Sequence, residues 1–295
     1  MNTKKTYTAV SAALGLLLAY ALYNIIKSCV NGYSLDGNFI LYFLPIAIGV
    51  TGLLIFVTSS FKKSGMLRLY MCYELFSFPF TVLFYVSFFL KDYDEFSYRP
   101  QIDWHFYLGI VLDLLYLTSC SVGLWYLSKK RVPKINYYGT GDDTVGQFNP
   151  AGAGLRFANH IIDAVLFVFV LVKSFFSLRY WVDKDMLPES AGSIYFFEIL
   201  LLIIYYLVFE GIFNTTAGKC ATNTTIVNEV GERPTFWQIS GRTFCRLIPF
   251  ESFSFFSAGA RGWHDSIPNT YVVESINKED MEMNEFTLDA ETENI

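Results

Sequence analysis

A long apolar stretch with a single aspartate inside it constrains this chain more than any other feature. Residues 154–180 are mostly apolar beyond Asp163, and the stretch is long enough to cross a bilayer. An isolated ionised carboxylate at mid-bilayer costs roughly 2.5 to 3.5 kcal/mol even on the most lenient scale. We therefore expect Asp163 to face protein, water or a cation instead of lipid.

Three other polar side chains share the helical face of Asp163. Arg156, Asn159 and His160 precede it by seven, four and three residues, and these spacings place all four on one side of a helix. Arg156 is the nearest candidate counter-ion for Asp163. The alternative is that Arg156 anchors the helix at the membrane surface, with its guanidinium in water.

Asp163 and His160 each allow two interpretations. Carboxylates inside membrane helices mark ion or proton paths, and histidine exchanges protons near neutral pH, so the pair predicts a proton relay. The structural alternative is that Asp163 only holds neighbouring helices together, with His160 as a hydrogen-bonded residue at the membrane surface. The sequence leaves both interpretations open.

Composition supports a membrane protein, because 53% of the residues are hydrophobic and only 17% are charged. The net charge of -5 comes from residues 274–295, which hold eight acidic side chains and one lysine, so residues 1–273 carry a net charge of +2. Basic residues lie in short clusters and form no stripe, which argues against a nucleic-acid partner. The five scattered cysteines are expected to be unpaired thiols.

The apolar runs predict an all-α membrane protein with six spans. Four spans form an N-terminal unit over residues 1–132, a polar linker follows over residues 133–150, and two more spans begin a second unit over residues 151–275. The acidic tail, residues 276–295, is expected to be disordered. Because the basic loops should stay inside, we expect both termini to be cytoplasmic.

Further charged residues fall inside the predicted spans. Glu74 and Asp113 lie in the third and fourth spans, and they either join a polar path or form local hydrogen bonds. In the second unit, Lys173 and Glu198 each fall roughly 9 Å below the outer boundary, so they are expected to pair. Glu210 lies near the inner boundary, level with Arg156.

By the same measure of helical rise, Asp163 is level with Tyr205 and Tyr206, whose hydroxyls are expected to donate to it. After the sixth span, residues 221–228 predict a short strand, and residues 235–248 predict an amphipathic helix in the membrane interface. The rival interpretation is a seventh span over residues 236–258. That span would bury Arg242 together with two other charges.

Taken together, these pieces resemble the RDD family of membrane proteins. The resemblance is carried by Arg156 and Asp163 in RFANHIID, Gly218 and Lys219 in TTAGK, and Asp265 in RGWHDSIPNTYVV. It covers about residues 150–275, with alanine at position 217 where members often carry proline, and it leaves the N-terminal half uncovered. The resemblance implies a role in transport, with ion or proton exchange suggested for some members, and it implies no catalytic residue.

Two functions are therefore expected. The first is a transporter of a small ion or solute with proton coupling through Asp163, in which Arg156 joins Asp163, Glu210 or Asp265 in one charge cluster. The second is a non-transporting membrane scaffold that binds a partner and uses the same cluster structurally. We expect no enzyme activity, because no nucleophile and base have a usable spacing.

The expected ligands follow from the same residues. His160 and His264 with Asp163 and Asp265 lack the spacing of a metal site, so neither a metal nor another cofactor is expected. The expected partners are the lipid bilayer, a proton or cation, and a second copy of the chain. The expected location is the cytoplasmic (inner) membrane of a bacterium.

Overall fold

The computed structural model describes residues 3–30, 37–90, 104–138, 145–148, 150–183, 191–248, 251, 254 and 262–281. Two predictions fall outside these residues. One concerns the disorder of the acidic tail beyond residue 281; for residues 276–281 that prediction is wrong, because the first two end the strand Thr270–Asn277 and the other four are helical. The other is the pairing of Lys173 with Glu198, because the side chain of Lys173 lies outside the described set.

Six long helices dominate the fold, and each contains one of the predicted apolar runs. Their bounds are Thr3–Val30 (α1), Gly37–Thr58 (α2), Gly65–Leu90 (α3), Trp104–Lys129 (α4), Ala153–Asp183 (α5) and Ala191–Phe213 (α6). Among the described residues, four segments are long and apolar enough to cross a membrane: Lys4–Lys27, Tyr107–Lys129, Ala153–Val172 and Phe196–Phe213. The chain is thus a mostly helical protein of the membrane type.

A small antiparallel sheet accompanies the helices. Its strands are β1 (Arg131–Pro133), β4 (Thr224–Asn228) and β5 (Thr270–Asn277), with β5 in the centre, and a separate hairpin joins β2 (Ile135–Tyr138) to β3 (Val145–Phe148). The predicted strand in residues 221–228 is confirmed as β4. The segment predicted as a polar linker carries β2 and β3, whose pairing was not predicted.

Three short helices complete the described chain: α7 (Ala217–Thr222), α8 (Phe236–Cys245) and α9 (Trp263–Ser266). Helix α8 begins at a capping box in which Thr235 and Gln238 each satisfy the other's backbone N–H. With ten residues, α8 is about 15 Å long, which is too short to cross a bilayer. The seventh span over residues 236–258 is therefore wrong.

The chain divides into two compact units. The first contains Met1–Leu124 and Val165–Leu200, and its buried core includes Leu14, Phe56 and Met71. The second contains Trp125–Ala164 and Leu201–Ile295. Its core holds several buried charged side chains beside apolar residues of the sheet, and the candidate site lies within this second unit.

Candidate functional site

Asp163 is buried in α5 and accepts hydrogen bonds from three neutral donors. Its Oδ1 accepts from the Tyr205 hydroxyl at 2.9 Å and from the Gly218 backbone N–H at 2.7 Å, while its Oδ2 accepts from the Thr216 hydroxyl at 2.8 Å. Both oxygens of this buried carboxylate therefore have hydrogen-bond partners, as buried polar groups in native proteins normally do. The prediction that Tyr205 donates to Asp163 is confirmed; the same prediction for Tyr206 is wrong, because its ring lies against Arg246 and its hydroxyl makes no hydrogen bond to Asp163.

The turn that follows α6 supplies two of these donors. Thr216 is the N-cap of α7, so its hydroxyl accepts from the Lys219 N–H while donating to Asp163. Gly218 approaches α5 so closely that a Cβ there would lie 2.2 Å from the carbonyl oxygen of Asn159. Only glycine permits this approach, which explains the glycine of the TTAGK segment.

Asn159, on the same face of α5, forms hydrogen bonds with residues at the end of α7 and the start of β4. Its Nδ2 donates to the Thr224 hydroxyl at 2.9 Å, and its Oδ1 accepts from the Thr222 hydroxyl. Asn159 and Asp163, one turn apart, therefore both bind the segment between α6 and β4. These hydrogen bonds fix the position of the polar face of α5 within the second unit.

Glu210 is the centre of a buried charge cluster. Its carboxylate is fully buried and pairs with three cations: Lys219 Nζ at 2.8 Å, Arg242 Nε at 3.1 Å and Arg246 Nη2 at 2.7 Å. The Arg246 guanidinium also lies 3.9 Å from the centre of the Tyr206 ring. An unpaired charge at such depth would be costly, and here each charge has partners.

Arg242 extends the cluster to the residues before β5. Its Nη1 donates to the carboxylate of Asp265 and to the hydroxyl of Thr270. His264 Nδ1 contacts the Glu251 carboxylate, and His264 Nε2 lies 3.7 Å from Asp265 Oδ1. Two carboxylates therefore flank one imidazole, and Asp265 belongs to the same charge network as Glu210.

The pKa values of the groups outside the predicted spans follow from burial and these partners. Burial alone would raise the pKa of Asp265. The positive charges of Arg242 and His264 have a larger, opposite effect, so the pKa is lowered to about 2. Burial lowers the pKa of Lys219 below its ordinary value despite the Glu210 carboxylate. It also lowers the pKa of His264, against the opposing effect of Asp265. In Arg246, Glu210 outweighs burial and raises the pKa.

A small polar cavity of about 20 Å³ lies among these groups, large enough for one water molecule. Its lining includes four cations, two acids and two histidines: Arg156, Lys219, Arg242, Arg246, Asp163, Asp265, His160 and His264. Water there would contact proton donors and acceptors from α5, α7, α8 and α9. The arrangement can bind or pass a proton, or hold a small ion.

The structure thus brings Arg156, Asp163, His160 and Asp265 to one cavity, with Glu210 bound to its cations. Arg156 is only 6% exposed, so its interpretation as a solvated anchor is wrong; its charge instead helps to lower the pKa of Asp265. The remaining candidates, Glu74, Asp113, Lys173 and Glu198, fall in the first unit, outside this site.

Sequence reasoning missed part of the site. It predicted an amphipathic helix over residues 235–248 without a partner for its basic side chains, whereas Arg242 and Arg246 both bind Glu210. On this helix Ile239 is buried, while Trp237 and Phe244 are exposed. The one available signal was the spacing of the two arginines, four residues apart and therefore on one helical face.

Four cysteines of the described residues, at positions 72, 120, 220 and 245, are buried and form no disulfide bond. Within the part of the chain that the structure describes, no three His, Cys, Asp or Glu side chains are grouped to hold a metal ion.

The apolar helices and the buried charge network define a membrane-type protein whose polar site lies at the junction of α5, α6 and the segment that follows. The RDD family model matches residues 150–266 of the chain. This match confirms the family resemblance for the C-terminal half, where all the residues around the cavity except Val272 lie. No curated protein and no solved structure matches the chain.

Proposed function

We propose that this chain is a multi-pass membrane transporter that moves a small ion or solute, with proton coupling through Asp163. Its six long helices would each cross the membrane, with both termini on the cytoplasmic side of a bacterial inner membrane. Support comes from the RDD match and from the apolar surfaces of the helices. The proposal involves no enzymatic step.

The observation that carries the proposal is the cavity that Asp163 shares with two histidines and Asp265. One water in this cavity would link a carboxylate of α5 to the imidazoles of His160 and His264. Such a chain of acid, water and imidazole is the arrangement that passes a proton. The surplus of cations around the cavity also favours an anionic species there over a bare metal cation.

Protonation of Asp163 would also change its packing. The carboxylate accepts from Tyr205, Thr216 and Gly218, and a proton on either oxygen weakens at least one of these bonds. Loading a proton would therefore loosen the contact of α5 with the turn after α6. Two arrangements of this turn, one for each protonation state, would couple the proton to movement.

A second candidate function is a non-transporting scaffold. The specific observation in its favour is that three donors already occupy both oxygens of Asp163, as expected for a carboxylate that only holds neighbouring segments together. In that case the cluster would fix how α8 docks, and the exposed Phe236, Trp237 and Phe244 would contact membrane or partner.

Flux measurements separate the two functions. The purified chain would be reconstituted in vesicles containing a pH-sensitive dye, under imposed sodium, potassium or chloride gradients. The transporter hypothesis expects pH-dependent flux in the wild type and none in Asp163→Asn, which keeps the shape of the side chain. Glu198→Gln, half-buried on α6 in the first unit, is the matched control and should retain flux.

Folding of each variant is checked by far-UV circular dichroism and size-exclusion chromatography. Unchanged flux in a folded Asp163→Asn variant would remove the proton-coupling mechanism. Absence of flux from the wild type under all three gradients would favour the scaffold.

A further inference from the structure

A second and much larger cavity lies where α4 and α6 end. Its volume is about 460 Å³, within the range of small-molecule sites, and it belongs to the second unit. The last turns of the two helices, β1, β4 and the turn after β4 line it. None of the residues of the Asp163 site takes part.

The charge of its lining has one sign. Lys129, Arg131 and Arg233 line the cavity, whereas no aspartate or glutamate does. Arg233 is held in place because its Nη2 donates to the last carbonyls of α6, those of Gly211 at 2.6 Å and Ile212 at 2.8 Å. Arg131 is fixed on β5 through Ser275 and Asn277. The lining therefore carries a net positive charge, and hydrogen bonds hold two of its three cations in place.

Lys129 differs from the two arginines, because it is exposed and has no hydrogen bond or ion pair among the described residues. Its Nζ lies 4.9 Å from the centre of the Trp125 ring. A cation over an aromatic ring keeps its charge available to a ligand. Of the three cations, Lys129 is therefore the one whose charge is most available to pair with a bound anion.

Two buried oxygens of the lining add hydrogen-bonding capacity. Ser128 Oγ and Asn214 Oδ1 have no hydrogen-bond partner among the described residues. The amide of Asn214 is oriented by its Nδ2, which donates to the Thr225 hydroxyl at 3.0 Å. Because buried polar atoms in native proteins are normally paired, both oxygens suit a ligand that carries hydroxyl groups or bound water.

Part of the apolar lining comes from two of the candidate membrane spans. Trp125 and Ile212 lie in the final turns of the candidate spans Tyr107–Lys129 and Phe196–Phe213, and they are about half exposed. Tryptophan at the end of a span lies at the level of lipid headgroups. Basic pockets between helix ends at this level are typical sites for phospholipid headgroups.

We propose that this cavity binds the headgroup of an anionic phospholipid. Its phosphodiester would lie against Lys129, Arg131 and Arg233, its headgroup hydroxyls would bond Asn214 and Ser128, and its acyl chains would follow the apolar surfaces of α4 and α6. The ligand chemistry is a phosphodiester anion, which a soluble phosphate ester also offers. This proposal is independent of the transport function.

Native mass spectrometry of the detergent-solubilised full chain tests the site. The protein is titrated with phosphatidylglycerol, with zwitterionic phosphatidylcholine, and with soluble glycerol phosphate. We expect one saturable phosphatidylglycerol site that discriminates against phosphatidylcholine. Lys129→Gln should weaken it about tenfold, as expected for loss of one charge-assisted contact. Lys63→Gln, at an exposed lysine in the loop between α2 and α3, should leave it unchanged.

Asn214→Asp places a negative charge in the same cavity without changing side-chain size, and it should weaken phosphatidylglycerol binding at least as much as Lys129→Gln. Aspartate tolerates the positive φ of this residue, 54°, but it loses the hydrogen bond that the Asn214 amide donates to Thr225, so circular dichroism and size-exclusion chromatography first establish that the variant is folded. Equal binding of the two lipids, or unchanged binding in both variants, would overturn the proposal. Tight binding of glycerol phosphate would overturn the lipid assignment.

Discussion

The hydroxyl of Tyr205 donates to Asp163 at 2.9 Å and, at 3.1 Å, accepts from the backbone N–H of Ala217. One phenol therefore connects α6 to the carboxylate of α5 and to the first turn of α7. This double role makes Tyr205 a sensitive point of the site.

Replacing Tyr205 with phenylalanine should reduce the free energy of unfolding by about 1 to 3 kcal/mol, because it leaves a buried N–H and a carboxylate each short of one partner. Thermal unfolding in detergent measures the effect. Tyr206→Phe, whose ring contacts Arg246, serves as the comparison and should cost less. Equal stability of Tyr205→Phe and wild type would show that water replaces the hydroxyl.

The close approach of Gly218 to α5 gives a second prediction. Gly218→Ala should destabilise the protein strongly, because its Cβ would meet backbone atoms of Asn159 at 2.2 Å and neither backbone can yield cheaply. Gly211→Ala is the matched control, since nothing lies within 4 Å of its added Cβ. That control should be neutral or gain up to about 1 kcal/mol from helix propensity. Similar melting temperatures for the two variants would contradict the packing described.

Removal of the Glu210 charge should be among the most damaging single changes in the chain. Glu210→Gln leaves Lys219, Arg242 and Arg246 without their shared carboxylate, at a cost of about 3 to 5 kcal/mol. Glu198→Gln on the same helix should cost little, because that side chain is half-buried and has no ion pair among the described residues. Chemical denaturation of both variants provides the measurement. A mild effect in Glu210→Gln would mean that the three cations have other partners.

Acid should weaken the site through Asp265. Its pKa is lowered to about 2 in the folded chain, below the ordinary value of about 4. A lowered pKa stabilises the fold above pH 4, and this contribution, about 2 kcal/mol, is lost as pH falls from 4 towards 2. Unfolding measured between pH 5 and 2.5 should show a shallower loss in Asp265→Asn than in wild type. Parallel pH profiles would exclude Asp265 as the group responsible.

The sequence predicted the parts of the site that lie on regular helices, and it did not predict the contacts made by the segment after α6. The helical period alone placed Arg156 and Asp163 on one face of α5. The helical rise alone placed Tyr205 of α6 at the depth of Asp163, because all three residues lie on regular helices. Glu210 was placed near Arg156 by the same argument. These predictions needed no knowledge of how the chain after α6 folds back.

The contacts of Lys219, Arg242 and Arg246 were beyond such reasoning. Each depends on the return of a segment after α6 to a carboxylate up to 36 residues earlier, through turns whose geometry no periodic pattern encodes. The amphipathic pattern of α8 was also ambiguous, since a buried arginine face and a solvated one have the same spacing. In the structure the two arginines of α8 are buried because they form ion pairs with Glu210.

The position of β5 bears on any attempt to isolate the family-matched part of the chain. Residues 150–266 end before β5 and begin after β1, yet β4 pairs only with β5 in this sheet, and β5 also binds β1. A fragment cut at the family limits would expose the edge of β4 and invite aggregation. A soundly folding piece would have to start before residue 131 and continue through residue 277, so the unit that folds is longer than the unit that sequence comparison recognises.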